Sequence, residues 1–259
     1  MLPMEHEECV DALERELDAC AVLITTTDPD AAVPACPEWT VADLVEHLGV
    51  IHRWVTEMVR ERSPVRLPRE EMTFDQPSTP EDLGPWLRSG GAALVSVLRA
   101  AGADDAMWAW GPHQSVAFWS RRQLHETAIH RVDLAQASGA PAVLEPAVAH
   151  DSMLELIDFL PHAVAFLPAV EQLRGSGETI VFRATDVDGV GTITLSPDGF
   201  AFTPTAGAET VHDADAALVG LVSDLALVMS RRLDLGAPPV EIRGRRELIE
   251  HWIDHSALL

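Results

Sequence analysis

A helical bundle followed by a smaller α+β domain is the fold class this sequence predicts, and three observations predict it. Residues 5–138 carry four segments, each about twenty residues long, with apolar positions at helical spacing. Beyond residue 178 the texture changes to short β-branched runs separated by Asp/Gly turns. Between them Arg174-Gly175-Ser176-Gly177 reads as a linker, which places the domains at 1–173 and 178–259.

The first helix is expected over 5–25, where Val10, Leu13, Leu17, Cys20, Ala21 and Ile24 keep the period. It ends in the polar run Thr25-Thr26-Thr27-Asp28-Pro29. Residues 33–39, rich in Pro, read as a loop. Thr40 with Asp43 three positions on makes an N-terminal capping arrangement for the second helix. That helix carries Val41, Leu44, Val45, Leu48, Ile51, Val55 and Met58. Residues 63–80 hold four prolines and read as a long connection. The third helix is expected from Pro80 to Ala101, with Gly102 just past its end, and the fourth from about 115 to 138, closed by Gly139 and Pro141. A fifth helix over 146–172 contains Pro161, which should kink or break it. Strands are expected at 179–183, 191–195, 200–202 and 240–242, with helices at 213–232 and 245–257.

Charge narrows the function. The chain has 41 acids against 18 bases, a net charge of −23, and every base is Arg. Such a field repels phosphate backbones and anionic membranes, so neither nucleic acid nor a membrane surface is an expected partner. No apolar run approaches the ~20 residues a bilayer span needs. The N-terminus, with Glu5, Glu7 and Glu8, lacks the basic and apolar regions of a signal peptide. Three cysteines, Cys9, Cys20 and Cys36, form neither a CxxC pair nor a disulfide framework. Cys9 and Cys20 read as core residues and Cys36 as a more exposed one. The cytoplasm is the expected compartment.

The stretch Arg121-Arg-Gln-Leu-His-Glu-Thr-Ala-Ile-His-Arg-Val-Asp133 is the chemically informative part. Glu126 and His130 lie four apart, about 40° on a helix, so both can reach one metal ion. His125 and His130 lie five apart and diverge by roughly 140°, which separates this pattern from the His-Glu-x-x-His of zinc proteases. His125 should therefore point away, to a supporting position or the surface. His47 on the second helix is a candidate third ligand, and His52, nearer the middle of the apolar stripe, is its rival from periodicity alone. Three ligands with open positions suit a catalytic ion. Arg131 and Asp133 either brace the ligands or are solvated charges, Glu46 reads as a solvated helix charge, and Trp39, Trp108, Trp110 and Trp119 either wall a pocket or fill the core.

Val33-Pro34-Ala35-Cys36-Pro37-Glu38-Trp39-Thr40 through His47-Leu48-Gly49 resembles the approach to the second helix in the mycothiol-dependent maleylpyruvate isomerase family of DinB-like metal-binding bundles. Trp108-Ala109-Trp110-Gly111-Pro112, Phe118-Trp119 and residues 121–133 resemble the same family's fourth-helix region. The match spans the N-terminal domain; the C-terminal half is similar in type to sterol-carrier folds. The resemblance selects His47, Glu126 and His130 as metal ligands and implies a divalent ion, zinc first. It implies mycothiol as thiol cofactor or cosubstrate, with a metal-bound thiolate attacking a small electrophile. An isomerase would add the thiolate to an alkene and later expel it; an S-transferase would leave it on the substrate. It also implies a C-terminal Arg that holds a substrate carboxylate, for which Arg232 and then Arg231 fit best; each reads equally as a helix-end charge facing solvent and the helix dipole. A metal-dependent hydrolase activating water and a non-catalytic small-molecule-binding protein stand as alternatives. A monomer or homodimer is expected.

Overall fold

The computed structural model describes residues 3–204, 213–237 and 239–257. It divides into two compact units, one of Met4–Ala142 and one built mainly of Val143–Leu259.

The first unit is a four-helix bundle: α1 (His6–Thr26), α2 (Val41–Glu61), α3 (Pro80–Ala100) and α4 (Val116–Ser138). α1 packs on α4 and α3, and α2 packs on α3 and α4. Their apolar stripes meet in a dry core that includes Leu13, Leu48, Leu94, Leu98 and Leu124. Cys9 and Cys20 lie in that core, and Cys36 is half-buried. Burial, reinforced by the Glu16 charge, pushes the Cys20 thiol well up, which leaves it an inert packing residue.

The α2–α3 contact depends on one glycine. A Cβ at Gly49 would run into the Trp86 ring, and that ring cannot yield. Its indole N–H donates to the Phe74 carbonyl at 3.1 Å. The Arg53 guanidinium lies over it, 4.0 Å from the centroid.

Residues 33–39 are not a loop throughout. β1 (Ala32–Val33) and β2 (Cys36–Thr40) form a small antiparallel hairpin. Two prolines and a length too short for any alternation hid it. The connection between α2 and α3 contains one short 3-10 turn, Arg69–Glu71. The indole of Trp54 on α2 donates to the Leu67 carbonyl at 3.0 Å and pins that connection to the bundle.

In the second unit α5 (Pro146–Phe159) stops where Pro161 lacks the N–H a helix needs, and two short 3-10 turns follow at Leu160–His162 and Pro168–Gln172. A fifth helix running to 172 is thereby corrected. Packing puts the division at 142/143, ahead of α5, because α5 packs on the helix Val222–Met229 and on the strand Val190–Ser196.

The five-stranded sheet has the order β5-β4-β3-β6-β7. Its strands are β3 (Thr179–Ala184), β4 (Val190–Ser196), β5 (Gly199–Pro204), β6 (Ala216–Gly220) and β7 (Glu241–Gly244). β3 and β6 run parallel, and the other pairs are antiparallel. The expected helix over 213–232 is the main correction. Ala216–Gly220 is β6, a strand buried along its whole length, and the helix α6 is only Val222–Met229. A strand buried on both faces is a continuous apolar run, with no alternation to separate it from a buried helix. The closing helix α7 (Arg246–Ser256) lays Trp252 against Phe182 and Phe200 of the sheet. No helix among the described residues is long and apolar enough to cross a membrane.

Candidate metal centre

The site begins with a helix cap. Thr40 Oγ1 accepts from the Asp43 amide at 3.2 Å, and Asp43 Oδ2 accepts from the Thr40 amide at 2.8 Å. This reciprocal cap fixes where α2 starts. Trp39, the residue before it, places its ring 4.9 Å from that of His47. α4 is defined at its other end by Gly139, which takes φ 71° and closes the helix in the left-handed conformation.

Between these helices His47, Glu126 and His130 converge. One ligand atom from each lies within 4.8 Å of the others. His47 Nε2 is 3.1 Å from Glu126 Oε1, and His130 Nε2 is 3.5 Å from the same oxygen. The other carboxylate oxygen, Oε2, accepts from Arg122 Nη2 at 3.0 Å. Glu126 is thus turned so that a single oxygen faces both imidazoles.

His130 is itself held. Its Nδ1 lies 2.8 Å from Oδ2 of Asp133, which is fully buried. A buried carboxylate accepts there, so Nδ1 carries a proton, and in the neutral ring Nε2 is left with a lone pair. That lone pair points at Glu126 Oε1, another acceptor. Two acceptors face each other stably only with a proton or a cation between them. Carboxylate–histidine pairing is how metal-binding imidazoles are oriented, and the donor set of two imidazole nitrogens and one carboxylate oxygen suits a divalent ion of the zinc type. The residues fit the group.

The electrostatics agree. Burial opposes the charge on Glu126, but hydrogen bonds from His130 and His47 and the Arg122 charge outweigh it and hold the carboxyl well below its usual range. Burial likewise disfavours the His130 cation, and the bonds to Asp133 and Glu126 more than offset it, raising that imidazole.

His52 does not join the cluster. It is fully buried, and its Nε2 bonds Thr127 Oγ1 at 3.0 Å. Burial pushes it down to about 3, with the Glu126 charge offsetting only part. Its folded value lies below its ordinary 6.5, so between those limits the unfolded chain binds one more proton than the native one. Stability therefore falls as pH drops from 6.5 toward 3 and is level above that window. Replacing His52 by Gln, which preserves the Thr127 bond, is expected to make this acid limb shallower by about 1.4 kcal/mol per pH unit. Urea unfolding at pH 4, 5, 6 and 7 would show it; identical slopes in both proteins would mean His52 titrates normally.

His125 is buried, not at the surface. Glu46 is exposed and accepts from Gln76, as a solvated charge would. Asp133 braces His130, and Arg131 forms a buried pair with Glu16 at 2.7 Å. Trp108, Trp110 and Trp119 cluster with Trp54, a residue not singled out from the sequence. Arg122 also went unnoticed, although its position four before Glu126 signals a same-face pair. Arg231 and Arg232 lie in the turn after α6 rather than on a helix. Arg231, at φ 59°, pairs with Asp254 at 2.6 Å. Arg232 is buried and donates to the Ser230 carbonyl at 2.7 Å.

The four-helix bundle thus gathers two imidazoles and one carboxylate from α2 and α4, a donor set with the spacing to hold a metal ion. Residues 10–135, just under half of the chain, match the model of the mycothiol maleylpyruvate isomerase N-terminal domain. Two crystal structures of the mycothiol-dependent maleylpyruvate isomerase, one of a point mutant, each align with a TM-score of 0.59 and 14% identity. Each alignment covers 93% of this chain and 95% of the other. At that identity the likeness speaks for the fold alone. A UbiJ-SCP2 ubiquinone synthesis protein aligns over 44% of this chain at a TM-score of 0.31 and 16% identity, too low to bear on the second unit. Among curated protein sequences none matches.

Proposed function

We propose that this protein is a metal-dependent, mycothiol-using isomerase or S-transferase acting on a small electrophile, with His47, Glu126 and His130 as the metal ligands. The observation that carries the reading is the convergence of those three side chains around one Glu126 oxygen, with the His130 tautomer set by Asp133. A divalent ion held there, zinc by the chemistry of the donor set, supplies Lewis acidity that lowers the pKa of a thiol and so favours its thiolate as nucleophile.

The protein's own residues do the rest. Nε2 of each histidine faces Glu126 Oε1, and Asp133 keeps the proton of the neutral His130 ring on the far nitrogen. Arg122 holds Glu126 Oε2 so that Oε1 stays turned inward. Trp39 packs its ring against that of His47 and so limits where the imidazole can turn. Arg232, with Arg231 as second choice, is the proposed C-terminal partner for a substrate carboxylate.

The test is to incubate zinc-loaded protein with mycothiol and maleylpyruvate, and separately with mycothiol and an alkylating bimane. Isomerisation without net thiol consumption would define an isomerase, and bimane–mycothiol conjugate an S-transferase. Either activity is expected to disappear after chelation and in Glu126→Ala. Activity that is indifferent to mycothiol would replace the thiol reading with water activation.

A further inference from the structure

A cavity of about 190 Å³ lies beside the cluster, and Glu126 forms part of its wall. Trp54, Trp110 and Trp119 form an aromatic face; the Trp54 and Trp119 rings meet edge to face at 5.5 Å, and Trp110 sits 5.2 Å from Trp119. Opposed to this apolar surface are two polar groups whose bonding is incomplete.

Gln123 is 2% exposed and lines the cavity, yet its side-chain oxygen has no hydrogen-bond partner among the described residues. Amide oxygen and nitrogen exchange places by a simple flip, so either can face the cavity. Buried amides are nearly always bonded, and the cavity that Gln123 lines is where an occupant can reach this one.

Arg69 is the second group. It is half-buried, and it lies 5.9 Å over the Trp54 ring. Its neighbours on the same wall have acids: Arg66 pairs with Glu70, and Arg122 with Glu126. Among the described residues Arg69 has no carboxylate within ion-pair distance. In a chain with 41 acids and 18 arginines that omission is conspicuous. A second cavity, on the His47 side, shares Arg69 but is lined by Glu38, Asp43 and Glu46 and so repels anions. The aromatic cavity, with three arginines against Glu126 alone, attracts them.

We propose that the tryptophan-walled cavity binds a small planar carboxylate, with Arg69 and Gln123 gripping its oxygens and the indole faces stacking on its plane. The volume is below the ~300–1,000 Å³ typical of sites for drug-sized ligands, so the occupant is small. A planar fork such as guanidinium matches a carboxylate, and the tryptophans supply the flat apolar contact. In combination with the functional reading above, on which this step rests, the occupant is the electrophile, seated against the metal-ligand Glu126. Arg69 and Gln123 are then the specificity-determining residues.

Benzoate is the probe, with benzamide as its neutral counterpart, followed by tryptophan fluorescence and calorimetry on full-length protein. Zinc-loaded and chelator-treated forms are both titrated. Benzoate is expected to bind both, and at least tenfold more weakly in Arg69→Ala and in Gln123→Leu; benzamide should bind wild type at least tenfold more weakly than benzoate. Arg69→Lys, which keeps charge but not the fork, should fall between. Gln123→Leu buries no orphan amide, so its Tm should equal or exceed that of wild type. Equal affinity in wild type and Arg69→Ala, or no binding at all, overturns the proposal. Binding lost on chelation but intact in Arg69→Ala puts the anion on the metal, overturning the cavity while leaving the functional reading in place. Arg69-dependent binding in a protein that never takes up zinc does the reverse. Saturation with mycothiol should leave benzoate affinity unchanged; a matching loss assigns the cavity to the thiol and overturns its assignment to the electrophile.

Discussion

His130→Ala is expected to retain essentially no tightly bound divalent metal, against about one ion per wild-type chain for a single three-ligand site. The reason is geometric. His130 Nε2, His47 Nε2 and Glu126 Oε1 form one compact set, and no neighbouring side chain stands in for His130. His125 departs from the pair around α4, and His52 is committed to Thr127. Glu126→Ala should match His130→Ala, because it removes the oxygen that both imidazoles face. Asp133→Ala is the graded case. It leaves all three ligands but frees the His130 tautomer, and loss of such a supporting partner typically weakens metal binding 10–100-fold. His125→Ala should keep the metal. Elemental mass spectrometry on untagged protein, with competition against a chromogenic chelator, measures all four. Far-UV circular dichroism is expected to show the helices intact throughout. Metal retained in Glu126→Ala and lost in His125→Ala would overturn the ligand set.

Parts of this site were legible because helices convert spacing into geometry. Glu126 and His130, four apart, must share a face, and the structure brings them to one oxygen. The capping pair Thr40 and Asp43 was equally readable, since its bonds are local. His47 was not selected by periodicity. His52 lies nearer the centre of the apolar stripe, and that centrality is what buries it in the core, away from the ligands. A side chain able to reach an ion must sit at the stripe's edge, where the bundle meets its cavities, as His47 does.

What escaped detection has nonlocal causes. Arg69 lies in a connection with no period, and nonlocal contacts such as the Trp54–Leu67 bond carry it to the cavity. Gln123 looks like a surface residue until α4 proves to be buried on most sides. In the second unit β6 reads as helix because pairing with β3 and β7 buries it without alternation. Arg231 and Arg232 consequently sit in a turn, a placement no helical reading of 213–232 could produce.

The largest stability effect is expected at Arg131, the residue that follows His130. Its guanidinium reaches from α4 to Glu16 on α1 at 2.7 Å, and both side chains are about nine-tenths buried. Desolvating two charges is costly, and their attraction returns that cost only while both remain. Arg131→Met strands a carboxylate that is 7% exposed. Breaking a buried pair in this way typically costs about 3–5 kcal/mol. The double variant Glu16→Leu/Arg131→Met removes both charges and fills the space with apolar atoms, so it should recover most of that loss. Because the chain holds two compact units, the reading must come from the bundle's own unfolding transition, followed by Trp fluorescence in urea. Metal affinity should follow the same order, since this pair anchors to α1 the turn of α4 that carries His130 and Asp133. It should weaken in the single variant and return in the double one. A single variant within about 1 kcal/mol of wild type would place the pair with surface salt bridges in strength. It would also mean that the position of His130 does not depend on the Arg131–Glu16 pair.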